Sequence, residues 1–365
     1  MITSEKLSGI LSKYDTENIS VTVLGSHSAL EIMDGAKDEN IRTICFCQKG
    51  REIPYLRFKR LADEVIVLDK FSDLANKENQ EKMIEMNSIL VPHRALTAYV
   101  GYDIIENDLL IPIFGTRGLL RAEERNYEQN QYYLLEKAGI RHPKLFRNPS
   151  EIESLAMVKI QEATRRLERA FFLVTSQKDY NEKSSAKVNN QTINEVDLKY
   201  AVIEEYVVGT YFNFNFFYSP LKNETEFLGI ERRLQSNLND YNSLPAARQL
   251  DFEIEVKHVE IGHTPASIRE SMLEKIFELG DKFVKATQTE SPPGIIGPFS
   301  LQSVVTADFD IVVYDVSLRV PGNAIMATTT PYTKYLYGST FGVGKRIAME
   351  LKSAISTKSI HLVTT

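Results

Sequence analysis

The stretch GPFSLQSVVTADFDIVVYDVSLRV, residues 297–320, reads as two strands around a tight turn. "GPFSLQSVV" (297–305) and "DIVVYDVSLRV" (310–320) are rich in apolar and β-branched residues, and "TADFD" between them has turn chemistry. Side chains alternate along a strand. Tyr314, Val316, Leu318 and Val320 are therefore expected on one face, and Asp315, Ser317 and Arg319 on the other. A turn centred near Asp308 and Phe309 sets Gln302 opposite Asp315, with Cβ atoms about 5 Å apart. Two oxygen donors then face one point, the ligand type that Mg²⁺ takes together with phosphate and water oxygens. Arg319, further along the same face, is placed to reach a phosphate. The plainer alternative is a half-exposed strand whose polar face meets water. Pairing with Gln302 and the following Gly322-Asn323 loop weigh against it.

Working outward, "VIEEYVVG" (202–209) sets two carboxylates inside an apolar strand. Buried charge needs a partner, so one of Glu204 and Glu205 is expected to point into a cleft and the other away. Exposed backbone at Tyr206-Val207 beside a carboxylate can read adenine. An edge strand with solvated acids is the alternative. Upstream, "AMVKI" (156–160) and "RAFFLV" (169–174) pattern as a hairpin. "RAEERNYEQNQYYLLEKAGIRHP" (121–143) patterns as a long helix stopped by Gly139 and Pro143. Further helices are expected over 265–288 and 341–355.

The first third alternates short apolar runs with helical stretches. The runs are "ISVTVLG" (19–25), "RTICFC" (42–47), "DEVIVLD" (63–69), "NSILVPH" (87–93) and "LLIPIFG" (109–115). That alternation predicts an α/β, doubly wound parallel sheet, with ligands beyond the carboxyl ends of its strands. Those ends carry Ser26 and His27 in "GSHS", Arg94 in "PHRA" and Arg117 in "FGTRG". Arg117 and Arg319 are candidates for phosphate or carboxylate contacts. His93 also sits at a strand end, where a lone histidine is more often incidental.

The chain has 365 residues, 43% hydrophobic and 25% charged, with a formal net charge of -6. Nucleic-acid binding is not expected without a basic excess. The two cysteines, Cys45 and Cys47, are too few for a disulfide framework and read as reduced core thiols. No 18-residue apolar run and no signal-peptide pattern are present, so a membrane span is not expected and a cytoplasmic location is.

In this order the segments resemble the ATP-grasp superfamily, and more narrowly the archaeal FAICAR synthetases (formate–phosphoribosylaminoimidazolecarboxamide ligases). The matching segments include "LGSHSALEIMDGAK", "KGREIPYLRFK", "PIFGTRGLLR", "EEYVVGT", "LGIERR", "SNL", "IRESML", "PPGIIGPFSLQS" and "GKRIAMELK", spread over nearly the whole chain. The resemblance implies a Rossmann-like domain over 1–122 followed by an ATP-grasp fold over 123–365. The small nucleotide-lid lobe would span about 145–205 and the large lobe about 206–365. It implies that ATP phosphorylates formate and that the amine of AICAR takes the formyl group, giving FAICAR for purine (IMP) synthesis. It implies ATP and Mg²⁺ as cofactors, with Mn²⁺ as a substitute, and a trimer or hexamer. By the same resemblance Lys159 would hold ATP phosphates, and Glu204, Glu205, Tyr206 and Val207 the adenine. Gln302 and Asp315 would hold metal. His27 and Asn237 would contact AICAR, with Ser26 and Arg94 beside them.

The chain departs from the family at several points. "KIQEATRRLERAFF" (159–172) has no glycine where the family has a Gly- and Arg-rich phosphate loop, so Arg165, Arg166 and Arg169 would have to supply charge instead of backbone amides. Asp315 stands where the family usually has Glu, and Arg94-Ala95 where it tends to have Gly-Ser. The loop "VPGNAIMATTTP" lacks the family's Gly-Thr-Asn run. These departures leave two other readings open: a ligase with a different acceptor, and a non-catalytic ligand-binding or oligomer subunit.

Overall fold

Four apolar runs of the first third form a parallel sheet: β1 (Ser20–Leu24), β2 (Arg42–Gln48), β3 (Glu64–Leu68) and β4 (Ser88–Leu90), in the order β3-β2-β1-β4. The computed structural model describes residues 2–160, 171–235, 244–249, 260–322 and 330–365. All of β1 is buried, as a strand covered on both faces requires. Cys45 and Cys47 are free and buried on one face of β2, with Sγ atoms 3.3 Å apart. The run 109–115 forms no strand. It makes single bridges, Leu90 to Ile113 and Phe114 to Thr364, and Pro112 in its middle has no N–H to give a ladder.

A second sheet is antiparallel, in the order β5-β8-β6-β7: β5 (Leu145–Phe146), β6 (Ala156–Lys159), β7 (Phe172–Val174) and β8 (Val202–Glu205). The β6–β7 pair is the hairpin expected from 156–174. The third sheet has five antiparallel strands in the order β11-β10-β9-β12-β13. They are β9 (Thr210–Ser219), β10 (Glu224–Gln235), β11 (Glu260–Ala266), β12 (Gly297–Val305) and β13 (Ile311–Ser317). Phe214, Phe216 and Phe299 pack from this sheet with Phe283 of the helix Leu273–Glu290, the Phe216 and Phe299 rings stacking at 5.1 Å. Asn213 and Asn215 are buried between these phenylalanines in sequence, so "NFNFF" is a core strand with a polar row.

Two helices differ from expectation. Residues 121–143 form a 3-10 segment, Arg117–Glu123, and then a short helix, Gln131–Lys137. Asn130 starts the second by accepting from the Tyr132 and Tyr133 N–H groups, which caps a new helix rather than continuing an old one. The helix expected from 265 begins at Leu273, because Pro265 and Ala266 belong to edge strand β11.

The C-terminal helix Val343–Ser356 crosses the sequence-based division at 122/123. It lies against the helix Ala29–Asp38, in the same core as Val21 and Val23. A Cβ on Gly35 would meet the Lys345 backbone N at 1.9 Å, and one on Gly344 the Glu31 carbonyl at 2.3 Å, so the two backbones touch only because both residues are glycine. Thr365 and Ile113 then exchange both backbone hydrogen bonds at 2.9 Å. Among the described residues no helix is long and apolar enough to cross a membrane.

Candidate active site

A cleft of ≈ 570 Å³ opens where the three sheets meet. One wall is the hairpin of β12 and β13. Gln302 pairs with Asp315, the register expected from sequence, but by a different route. Near the turn the partners are Val305–Ile311, Val304–Val312 and Ser303–Val313, so Tyr314 is an extra residue, a β-bulge. The bulge corrects the placement of Tyr314. It lines the cleft beside Asp315 instead of joining Val316 on the apolar face.

Lys159 ends β6 and is 4% exposed. Its ammonium pairs with Glu204 of the neighbouring strand and lies 5.5 Å from the Tyr314 ring centre. Burial lowers the Lys159 pKa, and the Glu204 carboxylate opposes that shift. Tyr132 donates to the other oxygen of Glu204 at 2.5 Å. Glu205, half-buried, accepts from the Lys144 N–H at 3.2 Å. Tyr206 and Val207 follow along the cleft wall.

Gln302 donates through Nε2 to Ser317 Oγ at 3.2 Å. Its Oε1 is buried and has no hydrogen-bond partner among the described residues. A buried amide oxygen without a donor is costly, and a cation is what would satisfy it. Oε1 and the facing Asp315 carboxylate are hard oxygen donors, so the pair fits a hard divalent ion whose other ligands come from phosphate and water. Asp315 meanwhile accepts from Arg125 Nη2 at 3.1 Å.

Arg319 lines the cleft with loose contacts, Nη2 to Glu123 Oε2 and Nη1 to the Val320 carbonyl, both 3.3 Å. Burial lowers its pKa, and Glu123 opposes that shift. Arg94 also lines the cleft, 3.9 Å from Glu124. His27 lines it too, at a backbone φ of 51°, its ring parallel to that of His93 at 5.8 Å. His93 is fully buried. Its Nδ1 accepts from the Ala95 N–H and its Nε2 donates to the Leu24 carbonyl, which makes it a structural plug.

Two expected site residues are elsewhere. Arg117 is buried, with both terminal nitrogens of its guanidinium bonded to the Ile105, Leu109, Ile111 and Thr365 carbonyls at 2.5–3.0 Å and only Nε without a partner among the described residues. It ties loop to C-terminus and is not available to a phosphate. Ser26 does not line the cleft; its carbonyl accepts from the Ala29 N–H as the chain turns into the helix. Asn237 and the segment 161–170, with Arg165, Arg166 and Arg169, lie outside the described residues, as does the loop 323–329.

Sequence reasoning missed a second charged group in the cleft. His263 on β11 bonds Glu231 through Nδ1 and Glu260 through Nε2, both at 2.8 Å. Asn213 donates to the other oxygen of Glu231, and Arg233 pairs with Glu260 at 2.8 Å. Burial alone lowers the His263 pKa, but the two carboxylates outweigh it and raise the pKa to about 9. The available signal was Glu231 inside the apolar run "FLGIERR", a buried acid that needed a partner. Arg125 was missed because the stretch 121–143 was read as one long helix, which breaks before Asn130.

Two antiparallel sheets after a parallel one, with a buried strand lysine and an oxygen-donor pair facing one cleft, are the arrangement of the ATP-grasp fold. The solved structures agree. The IMP biosynthesis protein PurP from Thermococcus kodakaraensis superposes with a TM-score of 0.71 at 24% identity, covering 94% of this chain and 100% of that one. The ADP complex of N5-carboxyaminoimidazole ribonucleotide synthetase (purK) superposes at 0.60 with 13% identity, covering 87% and 76%. In sequence, residues 21–146 match the family described as "Protein of unknown function (DUF1246)" and residues 179–365 the "Domain of unknown function (DUF1297)". The 5-formaminoimidazole-4-carboxamide-1-(beta)-D-ribofuranosyl 5'-monophosphate synthetase of Methanocaldococcus jannaschii is 42% identical, over 100% of this chain and 99% of that protein. The chain belongs to this family, the FAICAR synthetases.

Proposed function

We propose that this chain is a ligase that uses ATP, Mg²⁺ and formate to convert AICAR to FAICAR, in the cytoplasm and as a homo-oligomer. The observation that carries this reading is the single cleft holding Lys159, Glu204, Gln302, Asp315, Arg319 and His27, in a chain that aligns end to end with named synthetases. Formate at neutral pH is a poor acyl donor. A formate oxygen attacks the γ-phosphorus of ATP, the bond to the bridging oxygen breaks, and ADP leaves. The amine nitrogen then attacks the formyl carbon, and phosphate leaves with the electrons of the C–O bond.

Each role is supported by a contact. Lys159 is a buried cation at the cleft wall, ready to exchange its contact with Glu204 for a phosphate. Tyr206 and Val207 offer backbone groups beside Glu205 for adenine. Gln302 and Asp315 would hold the Mg²⁺, or Mn²⁺ in its place, which supplies charge neutralisation at the transferring phosphoryl group. Arg319, with loose contacts at present, is free to strengthen them on an anion.

The test is ADP release by the purified protein with ATP, Mg²⁺ and formate, with and without AICAR, with FAICAR followed in the same tubes. ADP and FAICAR that both depend on AICAR support the proposal. ADP without AICAR dependence assigns a different acceptor. No ADP from folded protein assigns a non-catalytic role.

A further inference from the structure

The tautomer of His27 follows from its neighbours. Ser28 donates its one hydroxyl proton to the Pro321 carbonyl at 2.7 Å, and a carbonyl can only accept. His27 Nδ1 lies 2.7 Å from the same Ser28 oxygen. With its proton already committed, that oxygen must accept, so Nδ1 carries the hydrogen. Nε2 is then the bare nitrogen. Among the described residues no group hydrogen-bonds Nε2, and the ring faces the cleft.

The ring is also held in place. It stacks on the immobile His93 ring with an interplanar angle of 3°. Gly322 packs against its outer edge. A Cβ there would lie 2.8 Å from Nε2, so only glycine fits beside that nitrogen. The backbone at His27 sits in the left-handed region, a conformation that is costly for a non-glycine residue and is kept where the surroundings enforce it. All four features aim one unprotonated nitrogen into the cleft from the end of β1.

We propose that His27 Nε2 is the base that takes the proton of the acceptor amine during formyl transfer. The inference rests on the ligase reading above. An amine bonded to imidazole carbon is weakly nucleophilic, and the C–N bond it forms leaves the nitrogen strongly acidic until a proton is removed. The proton moves from that nitrogen to Nε2, the C–O bond to phosphate breaks, and the imidazolium returns the proton to the departing phosphate or to water. The surrounding charge keeps the ring unprotonated, at some cost in basicity. His27 is accessible from the cleft, yet desolvation of its ring against the wall, then Arg319 and the His93 and His263 rings, hold its pKa below the ordinary value, while Glu260 opposes them. His27 is thus neutral, and able to accept, at neutral pH.

The test separates the two half-reactions in the full-length chain carrying His27→Gln. Hydroxylamine traps formyl phosphate as the hydroxamate in the presence of ATP, Mg²⁺ and formate, FAICAR formation reports transfer, and calorimetry reports AICAR affinity. The variant is expected to keep hydroxamate formation within about threefold of the parent, and any change in AICAR affinity is separated from transfer by working at saturating AICAR. The variant should lose about 10²–10³-fold in transfer at saturating AICAR, and with it the acid limb of the transfer pH profile. Transfer at the parental rate, or a loss matched by an equal loss of AICAR affinity, would overturn the base role. A parent that yields neither hydroxamate nor FAICAR would overturn the ligase reading, and this role with it.

Discussion

Two clusters of buried charge are made of the same residue types and differ in how completely they are satisfied. Under the C-terminal helix, Arg346 is bonded through Nε and Nη2 to Glu226 at 2.6 and 2.9 Å and through Nη1 to Glu350 at 2.9 Å, with the Phe217 ring 4.1 Å away. Ser219 supplies Glu350 with a further donor at 2.7 Å. In the cleft, Gln302 Oε1 has no hydrogen-bond partner among the described residues, and Nε of both Arg319 and Arg233 lacks a well-aligned acceptor. A cluster in which each guanidinium nitrogen and both carboxylates are bonded holds two elements together. Unmatched atoms on a rigid wall are sites for something the protein takes from solution.

The largest expected effect lies in the sealed cluster. Arg346→Ala strands two buried carboxylates, and urea unfolding should show a loss of about 3–5 kcal/mol. Parental stability would break the comparison at its root. Arg117→Ala comes next, because four buried carbonyls lose their charged donor. A loss of about 3 kcal/mol is expected, with the ATP concentration dependence of thermal stabilisation unchanged. A selective loss of ATP binding in folded Arg117→Ala would return that residue to the site.

Cleft residues should behave in the opposite way, changing binding more than stability. Asp315→Ala should retain its fold and lose the Mg²⁺-dependent part of ATP stabilisation, about 2.7 kcal/mol when ligand stands at a hundredfold its Kd. Equal stabilisation of variant and parent by ATP with Mg²⁺ would remove Asp315 from the metal site.

The smallest effect concerns His263. Its folded pKa is raised to about 9 from an ordinary 6.5. The proton therefore stabilises the fold fully below pH 6.5, and that contribution is lost as pH rises through 9. His263→Asn should flatten the stability profile over this window, a difference of about 1–2 kcal/mol once solvent in the cleft is discounted. An unchanged slope would show that Glu231 and Glu260 do not hold the proton there.

Much of the molecule was legible in the sequence because it rests on local pattern. The parallel strands of the first third, the β6–β7 hairpin and the aromatic β9 strand are runs whose burial follows from composition. Gln302 and Asp315 were found together because hairpin register is a local property. Even there the turn and the bulge each differ by one residue from the simple count, and the two differences cancel.

What the sequence determined by itself was the order of elements, the family and part of the polar lining of the cleft. Tertiary structure alone decided which charges are finished and which are open. Arg117 and Arg319 are both arginines beside apolar runs, and nothing nearby in sequence tells them apart. One meets four carbonyls, the last of them on Thr365, and the other meets a few long contacts at the cleft wall. His263 keeps its proton because Glu231 across a strand pair accepts it in a hydrogen bond, and His27 takes its tautomer from Ser28 and a carbonyl at Pro321. Charge and hydrogen bonding act over a few ångströms of space, however many residues of chain lie between, so these states exist only once the chain has folded.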